Sequence, residues 1–245
     1  MDVWTEEIDV ALDDVDKSNR IKPSAVFNFF QRATTHHGDV LGIGANAMAA
    51  NGQGWVLSRF SAQIERRSSL SERLNLSTWP RGFKKLFATR DYLLTDKEGS
   101  VVTRARSEWL LIDIKKRRPL REESLCTPLP RNETMADALR GPLPVLHECA
   151  GMTKAGIIVP AYSDADYNGH VNNVRYIEWT QNYADNLNLM DASKIYIDIN
   201  YIHEILPRES VEIYTYSEGN LIEIEAKSLK EGVSVFRSRL CAACR

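Results

Sequence analysis

Residues 172–201 read NNVRYIEWTQNYADNLNLMDASKIYIDINY. This stretch joins two hydrophobic periods that decide the fold of the second half of the chain. The first part predicts a helix over about residues 172–189, because its large apolar residues recur at helical spacing: Tyr176, Trp179, Tyr183 and Leu187. The last part alternates isoleucine with more polar residues, a period of two that predicts a strand over 194–201. Further strands are expected at 156–162, 210–216, 221–229 and 233–241.

The first half of the chain repeats this order of elements. We expect a strand at 7–12, a helix at 23–37 and four strands at 55–65, 73–79, 86–94 and 101–114. The halves align at an offset of 150 positions around Asp14 and Asp164, and of 137 positions around Glu72 and Glu209. A long helix beside an antiparallel meander is buried when the sheet curls around it. The predicted fold class is therefore α+β, a tandem (double) hot-dog in which each curled antiparallel sheet wraps around a central helix.

The repeat also sets the expected domain boundaries. Residues 1–118 are predicted to form an N-terminal hot-dog and residues 151–245 a C-terminal one. Residues 119–150 are interpreted as a linker, in which residues 133–140 could form a short helix. The linker prediction rests on its prolines, which interrupt regular structure: Pro119, Pro128, Pro130, Pro142 and Pro144.

Composition places the chain among ordinary globular proteins. It has 245 residues, 43% apolar and 26% charged, with a formal net charge of −2, so charge alone suggests neither a nucleic-acid protein nor a membrane-surface protein. No apolar run approaches the about 18 residues of a membrane span. The acidic first residues lack the basic and apolar regions of a signal peptide, so a cytoplasmic location is expected.

The four cysteines do not form a disulfide scaffold in a chain of this length. Cys241 and Cys244 form a single C-x-x-C pair, and no second cysteine pair or histidine pair stands at zinc-site spacing. We therefore expect free thiols, with neither a metal nor a cofactor.

Asp166, Asn168 and His170 bring a carboxylate, an amide and an imidazole into five residues just before the second predicted helix. The N-cap of that helix is expected at Asn172 or Asn173. The unpaired N–H groups of a helix start are suitable donors for a carbonyl oxygen that becomes an oxyanion. The alternative is that these residues only form a turn and a cap. The repeat argues against that alternative, because polar residues of other kinds stand at the matching positions: Ser18 for Asn168, Arg20 for His170 and Arg67 for Glu204.

These residues resemble those of the acyl-acyl carrier protein (acyl-ACP) thioesterases. Residues 166–176 are similar to that family's D-x-N-x-H-V-N-N-x-x-Y segment, and residues 200–204 to the strand that carries its further catalytic glutamate. Residues 55–59, 89–96 and 105–109 also resemble the family, so the similarity spans nearly the whole chain. One position departs: some members have a cysteine after the glutamate, and here that residue is Ile205.

The resemblance implies a thioesterase that hydrolyses fatty acyl-ACP to free fatty acid and holo-ACP and so terminates fatty-acid synthesis. It implies the catalytic residues Asp166, Asn168, His170 and Glu204. We expect a water-based mechanism with Glu204 as general base or, second, as direct nucleophile. Asn168 and backbone N–H groups would hold the carbonyl oxygen, His170 would orient substrate or water, and Asp166 would fix Asn168 or His170. The division of labour among the four stays open.

Three other functions remain as alternatives: an acyl-CoA thioesterase of the same fold, a hot-dog dehydratase, and a non-catalytic acyl-binding module. For the fatty tail, we expect a tunnel lined by the first helix, with Phe27, Phe30 and Ala33 as substrate-binding residues. The basic run Lys115, Lys116, Arg117 and Arg118 is either the solvated start of the linker or a docking surface for the acidic ACP. A homodimer is left open.

Overall fold

The computed structural model describes residues 2–243, which divide into two compact units, 1–143 and 144–245. Residues 119–143, in the segment interpreted as a linker, therefore cluster with the first unit. Within residues 2–243, no helix is both long and apolar enough to cross a membrane. Cys244 lies outside the described residues, and the thiols of Cys126, Cys149 and Cys241 are free.

The first unit consists of one antiparallel sheet, a long helix and a short helix. Its strands have the order β1-β3-β4-β5-β2, with β6 paired to the far end of β5. Short 3-10 helices lie at Leu12–Asp14 and Glu122–Ser124. The elements are β1 (Trp4–Asp9), α1 (Pro23–Val40), α2 (Ala45–Ala50), β2 (Gln53–Ile64), β3 (Arg73–Lys84), β4 (Phe87–Asp96), β5 (Val101–Asp113) and β6 (Arg118–Pro119).

Helix α1 begins at Pro23, where the ring of proline fixes a helical φ and its missing N–H is not needed. One face of the helix is buried against aromatic rings of the sheet. The ring of Phe27 lies 4.6 Å from that of Phe60, and the ring of Phe30 lies 4.8 Å from that of Tyr92, between centroids. This packing fixes α1 as the core helix of the first unit, as its apolar spacing predicted.

The second unit repeats the arrangement with shorter strands. Its antiparallel order is β8-β11-β10-β9-β7, and short 3-10 helices lie at Tyr162–Asp164 and Leu189–Asp191. The alternating isoleucines of β8 are at most 1% exposed, which confirms the period-two prediction. The elements are β7 (Thr153–Ile158), α3 (Asn173–Asp185), β8 (Lys194–Tyr201), β9 (Val211–Glu218), β10 (Leu221–Ser228) and β11 (Ser234–Ala243).

The structure corrects two local interpretations. The short helix considered for residues 133–140 is absent, because long-range contacts hold this segment in turns and bends: the Arg81 guanidinium donates to the carbonyl oxygen of Met135 at 2.8 Å, and the Ala138 N–H donates to the Asp91 carboxylate at 3.0 Å. The strand expected at 156–162 ends at Ile158, since Pro160 has no N–H for a ladder.

Candidate active site

Residues 166–170 form a tight loop closed by its own backbone. The Asp166 N–H donates to the carbonyl oxygen of His170 at 2.8 Å, and the Gly169 N–H donates to the carbonyl oxygen of Asp166 at 3.0 Å. Gly169 has a φ of +82°, a left-handed conformation that glycine adopts without strain. The loop therefore holds three polar side chains on one turn, directly before α3.

Asp166 shapes this loop with its carboxylate. Its Oδ1 accepts from the backbone N–H of Asn168 at 2.8 Å, a local turn that aspartate favours. The Asn168 side chain is exposed near the tip of the loop. Asp166 thus contacts Asn168 through the Asn168 backbone.

Asn172 is the N-cap of α3, one of the two positions expected. Its side-chain Oδ1 accepts from the Val174 N–H at 2.9 Å, and its own N–H donates to the carbonyl oxygen of Asp164 at 2.8 Å. The Arg175 N–H donates to the Asn172 carbonyl oxygen at 2.9 Å, so most N–H groups of the helix start have partners, and the helix start supplies partial positive charge beside the loop.

One backbone hydrogen bond joins this loop to the segment after β8. The Val171 N–H donates to the carbonyl oxygen of Ile205 at 2.9 Å, and Ile205 is buried. As a result, His170 Nε2 lies 3.6 Å from Glu204 Oε2. The His170 and Glu204 side chains are 37% and 41% exposed, so a substrate or a water molecule can reach both. The distance is slightly longer than a hydrogen bond.

Tyr176 lies on the first turn of α3, near the carboxylates of Asp166 and Glu204. Burial raises the pKa of its hydroxyl, and the negative charges of Asp166 and Glu204 raise it further. The hydroxyl therefore stays protonated at neutral pH and can donate a hydrogen bond. From the sequence, Tyr176 was interpreted only as a residue of the apolar helix face; its place as the last letter of the 166–176 segment was the available signal.

The matching loop of the first unit has the same backbone and different side chains. The Asp16 N–H donates to the carbonyl oxygen of Arg20 at 2.8 Å, and the Ile21 N–H donates to the carbonyl oxygen of Ser68 at 2.7 Å. Arg67 occupies the position that Glu204 has in the second unit, and its Nη2 donates to Asp16 Oδ2 at 3.0 Å. Only 1% of the Arg67 side chain is exposed, whereas 41% of the Glu204 side chain is.

Phe27, Phe30 and Ala33 are fully packed core residues of the first unit, at 3%, 0% and 0% exposure. The Tyr92 hydroxyl, beside the Phe30 ring, also forms hydrogen bonds with the hydroxyls of Thr34 and Ser107, at 2.8 and 3.0 Å. A fatty tail can enter here only by displacing some of these rings. Their role in binding a substrate stays a prediction.

The basic run after β5 is exposed at all four positions. Lys116 Nζ lies 3.8 Å from Asp113 Oδ2, and Arg118 belongs to β6, which pairs with β5. Lys115 and Arg117 lie in the turn between these strands. Within residues 2–243, no three His, Cys, Asp or Glu side chains are grouped so that they could hold a metal ion.

Two family models match the chain. That of the acyl-ACP thioesterase N-terminal domain matches residues 1–126, and that of the C-terminal domain matches residues 152–235.

Similar proteins are found among curated sequences. The oleoyl-acyl carrier protein thioesterase 2 of Arabidopsis thaliana is 29% identical over 177 residues, which cover 67% of this chain and 47% of that protein. A palmitoyl-acyl carrier protein thioesterase of Cuphea hookeriana is 26% identical over 173 residues, 63% of this chain and 40% of that protein. The chain thus spans about half the length of the curated relatives it matches, or less.

Solved structures match the fold along the chain. An acyl-ACP thioesterase from Bacteroides thetaiotaomicron superposes with a TM-score of 0.82 at 22% identity, covering 99% of this chain and 98% of that one. The 12:0-ACP thioesterase from Umbellularia californica gives 0.79 at 20% identity, with the same coverage. These likenesses confirm the α+β double hot-dog.

Proposed function

The chain belongs to the acyl-ACP thioesterase family, and we propose that it hydrolyses fatty acyl-ACP to a free fatty acid and holo-ACP, the step that terminates fatty-acid synthesis. The observation that carries this proposal is the pair of His170 and Glu204, 3.6 Å apart and open to solvent at the start of α3. A base beside an imidazole and a helix N-terminus is what hydrolysis of a thioester requires. The alternative of an acyl-binding module needs none of these groups.

Glu204 serves as the general base. Its carboxylate takes a proton from a water molecule, and the oxygen of that water attacks the thioester carbonyl carbon to give a tetrahedral intermediate. When the intermediate collapses, the carbon–sulfur bond breaks and the thiolate of the carrier leaves with the electron pair. Direct attack by Glu204 remains the second assignment.

The negative charge that develops on the carbonyl oxygen is stabilised by the loop and the helix start. Asn168 supplies an amide donor, and the start of α3 supplies partial positive charge and, as a further donor, the Asn173 N–H. His170, 3.6 Å from Glu204, orients the substrate or the water and stabilises the developing charge. Asp166 sets the loop conformation through its bond to the Asn168 N–H at 2.8 Å.

A cysteine nucleophile is not part of the proposed mechanism. The residue after Glu204 is Ile205, which is 1% exposed and carries no nucleophile. Among the thiols that the structure describes, that of Cys149 has its pKa raised by a hydrogen bond to Glu223 and by burial, which lowers its nucleophilic fraction.

The two units have different tasks in this proposal. The first unit has Arg67 where a base would stand, so it binds the fatty tail along α1 and leaves the chemistry to the second unit. The exposed run Lys115–Arg118 attracts the acidic carrier protein.

The proposal is tested by measuring kcat/KM for acyl-ACP esters of several chain lengths beside the matching acyl-CoA esters. Preference for the carrier protein at the best chain length supports the proposal. An equal or higher kcat/KM on acyl-CoA would assign the chain to the acyl-CoA thioesterase alternative. If neither the acyl-ACP nor the acyl-CoA esters were hydrolysed, the non-catalytic acyl-binding module would be the remaining alternative.

A further inference from the structure

The short segment between β8 and β9 carries Glu204, and its backbone is anchored on both sides of that residue. On one side the Ile205 carbonyl oxygen accepts from the Val171 N–H at 2.9 Å. On the other side the His203 N–H donates to the carbonyl oxygen of Val235 at 3.0 Å, just past the end of the β8–β11 ladder. The orientation of Glu204 therefore depends on how firmly its two neighbours are held.

The His203 side chain adds a second attachment on that side. Its Nε2 lies 3.2 Å from Glu231 Oε2, in the turn between β10 and β11. From the same turn, Lys230 Nζ lies 3.6 Å from Glu209 Oε1, and the other oxygen of Glu209 accepts from the Leu206 N–H at 2.9 Å. The turn thus holds the segment at two points that flank Glu204.

In the first unit, other side chains hold the equivalent segment. Arg66 stands 137 positions before His203, and its Nη2 lies 3.1 Å from Asp96 Oδ2, beside the turn between β4 and β5. Glu65 stands 137 positions before Ile202, and the two residues make matching backbone bonds: the Glu65 N–H donates to the carbonyl oxygen of Val102 at 2.9 Å, and the Ile202 N–H to that of Val235 at 2.9 Å. Arg66 also pairs with Glu72, which matches Glu209, so in both units a side chain at this position contacts an acidic residue of a neighbouring element, although Asp96 and Glu231 do not stand at matching positions.

The residue that follows the held position differs between the units. In the first unit the next residue is the buried Arg67, and in the second it is Glu204, 3.6 Å from His170. We infer that His203 and Glu231 form a positioning pair that keeps the Glu204 carboxylate directed at His170 and the attacking water. The inference rests on the proposed function, in which Glu204 is the base. His203 itself touches no reacting atom.

The pair is expected to act on turnover and to leave substrate binding unchanged. Displacing a catalytic group by about 1 Å can cost up to about 10²-fold in rate. Because the two side chains are 42% and 46% exposed, their loss should change global stability little. A reduced kcat at unchanged KM and unchanged melting temperature is therefore the signature of positioning.

The kinetic test compares His203→Ala, Glu231→Ala and the double variant with His203→Arg, which restores the type of residue that the first unit has. Each single variant should lose roughly tenfold in kcat with KM changed by less than about twofold. The double variant should be no slower than the slower single one, because both remove one interaction. His203→Arg should recover most of the turnover. Wild-type kcat in both single variants, or losses that multiply in the double variant, would overturn the inference.

Hydrogen–deuterium exchange gives a readout that does not need activity. Peptides covering residues 202–206 should exchange faster in His203→Ala and Glu231→Ala than in the wild type. The matched control is Lys154→Gln, which breaks an ion pair of Lys154 with Glu212 elsewhere in the second unit and should leave these peptides unchanged. Unchanged exchange in the pair variants, or an equal rise in the control, would contradict the inference.

The two measurements separate this inference from the proposed function. A wild-type protein that fails to hydrolyse acyl-ACP refutes the proposed function, while exchange still reports whether the pair holds the segment. If Glu204→Gln is inactive and the pair variants keep wild-type turnover, the positioning role alone is refuted.

Discussion

The backbone N–H of Val171 donates to the carbonyl oxygen of Ile205 at 2.9 Å, which ties the loop that carries His170 to the segment that carries Glu204. The first unit makes the equivalent bond between Ile21 and Ser68 at 2.7 Å. The two units therefore share one backbone frame at this place, and they differ in its side chains: the second unit has His170 and Glu204, and the first has the buried Arg67.

Replacing Arg67 by alanine should destabilise the first unit. Arg67 is 1% exposed, and its guanidinium donates to Asp16 Oδ2 at 3.0 Å and to the carbonyl oxygen of Ile21 at 2.8 Å. Removing one partner of such a pair costs about 3 kcal/mol, at the low end of the usual range because Asp16 is partly exposed. The free energy of unfolding, measured by urea denaturation, should fall by this amount.

The control for Arg67 is Arg73→Ala, which breaks a pair with Asp9 whose side chains are 62% and 72% exposed. That change should leave the free energy of unfolding close to that of the wild type, because water screens an exposed pair. At a temperature where both variants are folded, kcat should stay close to that of the wild type. A collapse of kcat in folded Arg67→Ala would show that the first-unit loop takes part in the chemistry.

Stability should decrease at alkaline pH through Tyr176. Burial, with the charges of Asp166 and Glu204, holds the pKa of this hydroxyl above its usual range. The unfolded chain ionises tyrosine near pH 10, so the stability contributed by the raised pKa is fully present below about pH 10 and is lost as pH rises further. In Tyr176→Phe the free energy of unfolding should fall less steeply above pH 10.

Tyr162→Phe is the control for this titration, because Tyr162 is 93% exposed and its loss should leave the slope unchanged. Urea denaturation at several pH values between 8 and about 11 gives the slopes. Identical slopes for the wild type and Tyr176→Phe would contradict the assignment.

The thiols should be dispensable for catalysis. A variant in which Cys126, Cys149, Cys241 and Cys244 are all replaced by serine or alanine should keep the turnover of the wild type, because the proposed mechanism uses a carboxylate and water. The measurement is kcat on the preferred acyl-ACP before and after treatment with a thiol reagent. Loss of activity that is traced to modification of one thiol at the reacting centre would overturn the water-based mechanism.

Changes on the buried face of α1 should alter the preferred chain length. Phe27→Leu and Phe30→Leu create space beside Phe60 and Tyr92 and should favour longer chains, whereas Ala33→Val fills space and should favour shorter ones. Each buried methylene is worth about 0.8 kcal/mol, so the shift in kcat/KM should be a modest factor per carbon. The control is Val40→Ala, at an exposed position of the same helix. Unchanged chain-length profiles in all three variants would refute tail binding by the first unit.

The fold was predictable from the sequence where local periods determine it. The apolar spacing of α1 and the alternation of Ile195, Ile197 and Ile199 each report burial of one face, and both elements lie within a few residues of their expected bounds. The segment 119–143 was harder to predict, because its course depends on contacts with distant residues. Arg81 and Asp91 determine its conformation, against a local preference for helix at 133–140.

The residue types of the candidate site were predictable from the sequence, but their arrangement in space was not. The short spacing from Asp166 to His170 predicts a polar loop before a helix. Its approach to Glu204 depends on the Val171–Ile205 hydrogen bond, which joins residues 34 positions apart. The sequence has no periodic pattern that predicts contacts such as that of His203 with Glu231, because each residue alone resembles any other exposed polar residue.

The most direct test of the mechanism is the kcat of Glu204→Gln on the preferred acyl-ACP, measured beside Glu178→Gln. Glutamine keeps the shape of Glu204 and cannot accept the proton of water, whereas Glu178 pairs with Arg175 on α3 and belongs to no step of the reaction. Glu204→Gln should fold normally and lose at least about 10²-fold in kcat, while Glu178→Gln stays within about twofold of the wild type. Wild-type turnover by folded Glu204→Gln would contradict the assignment of Glu204 as the base.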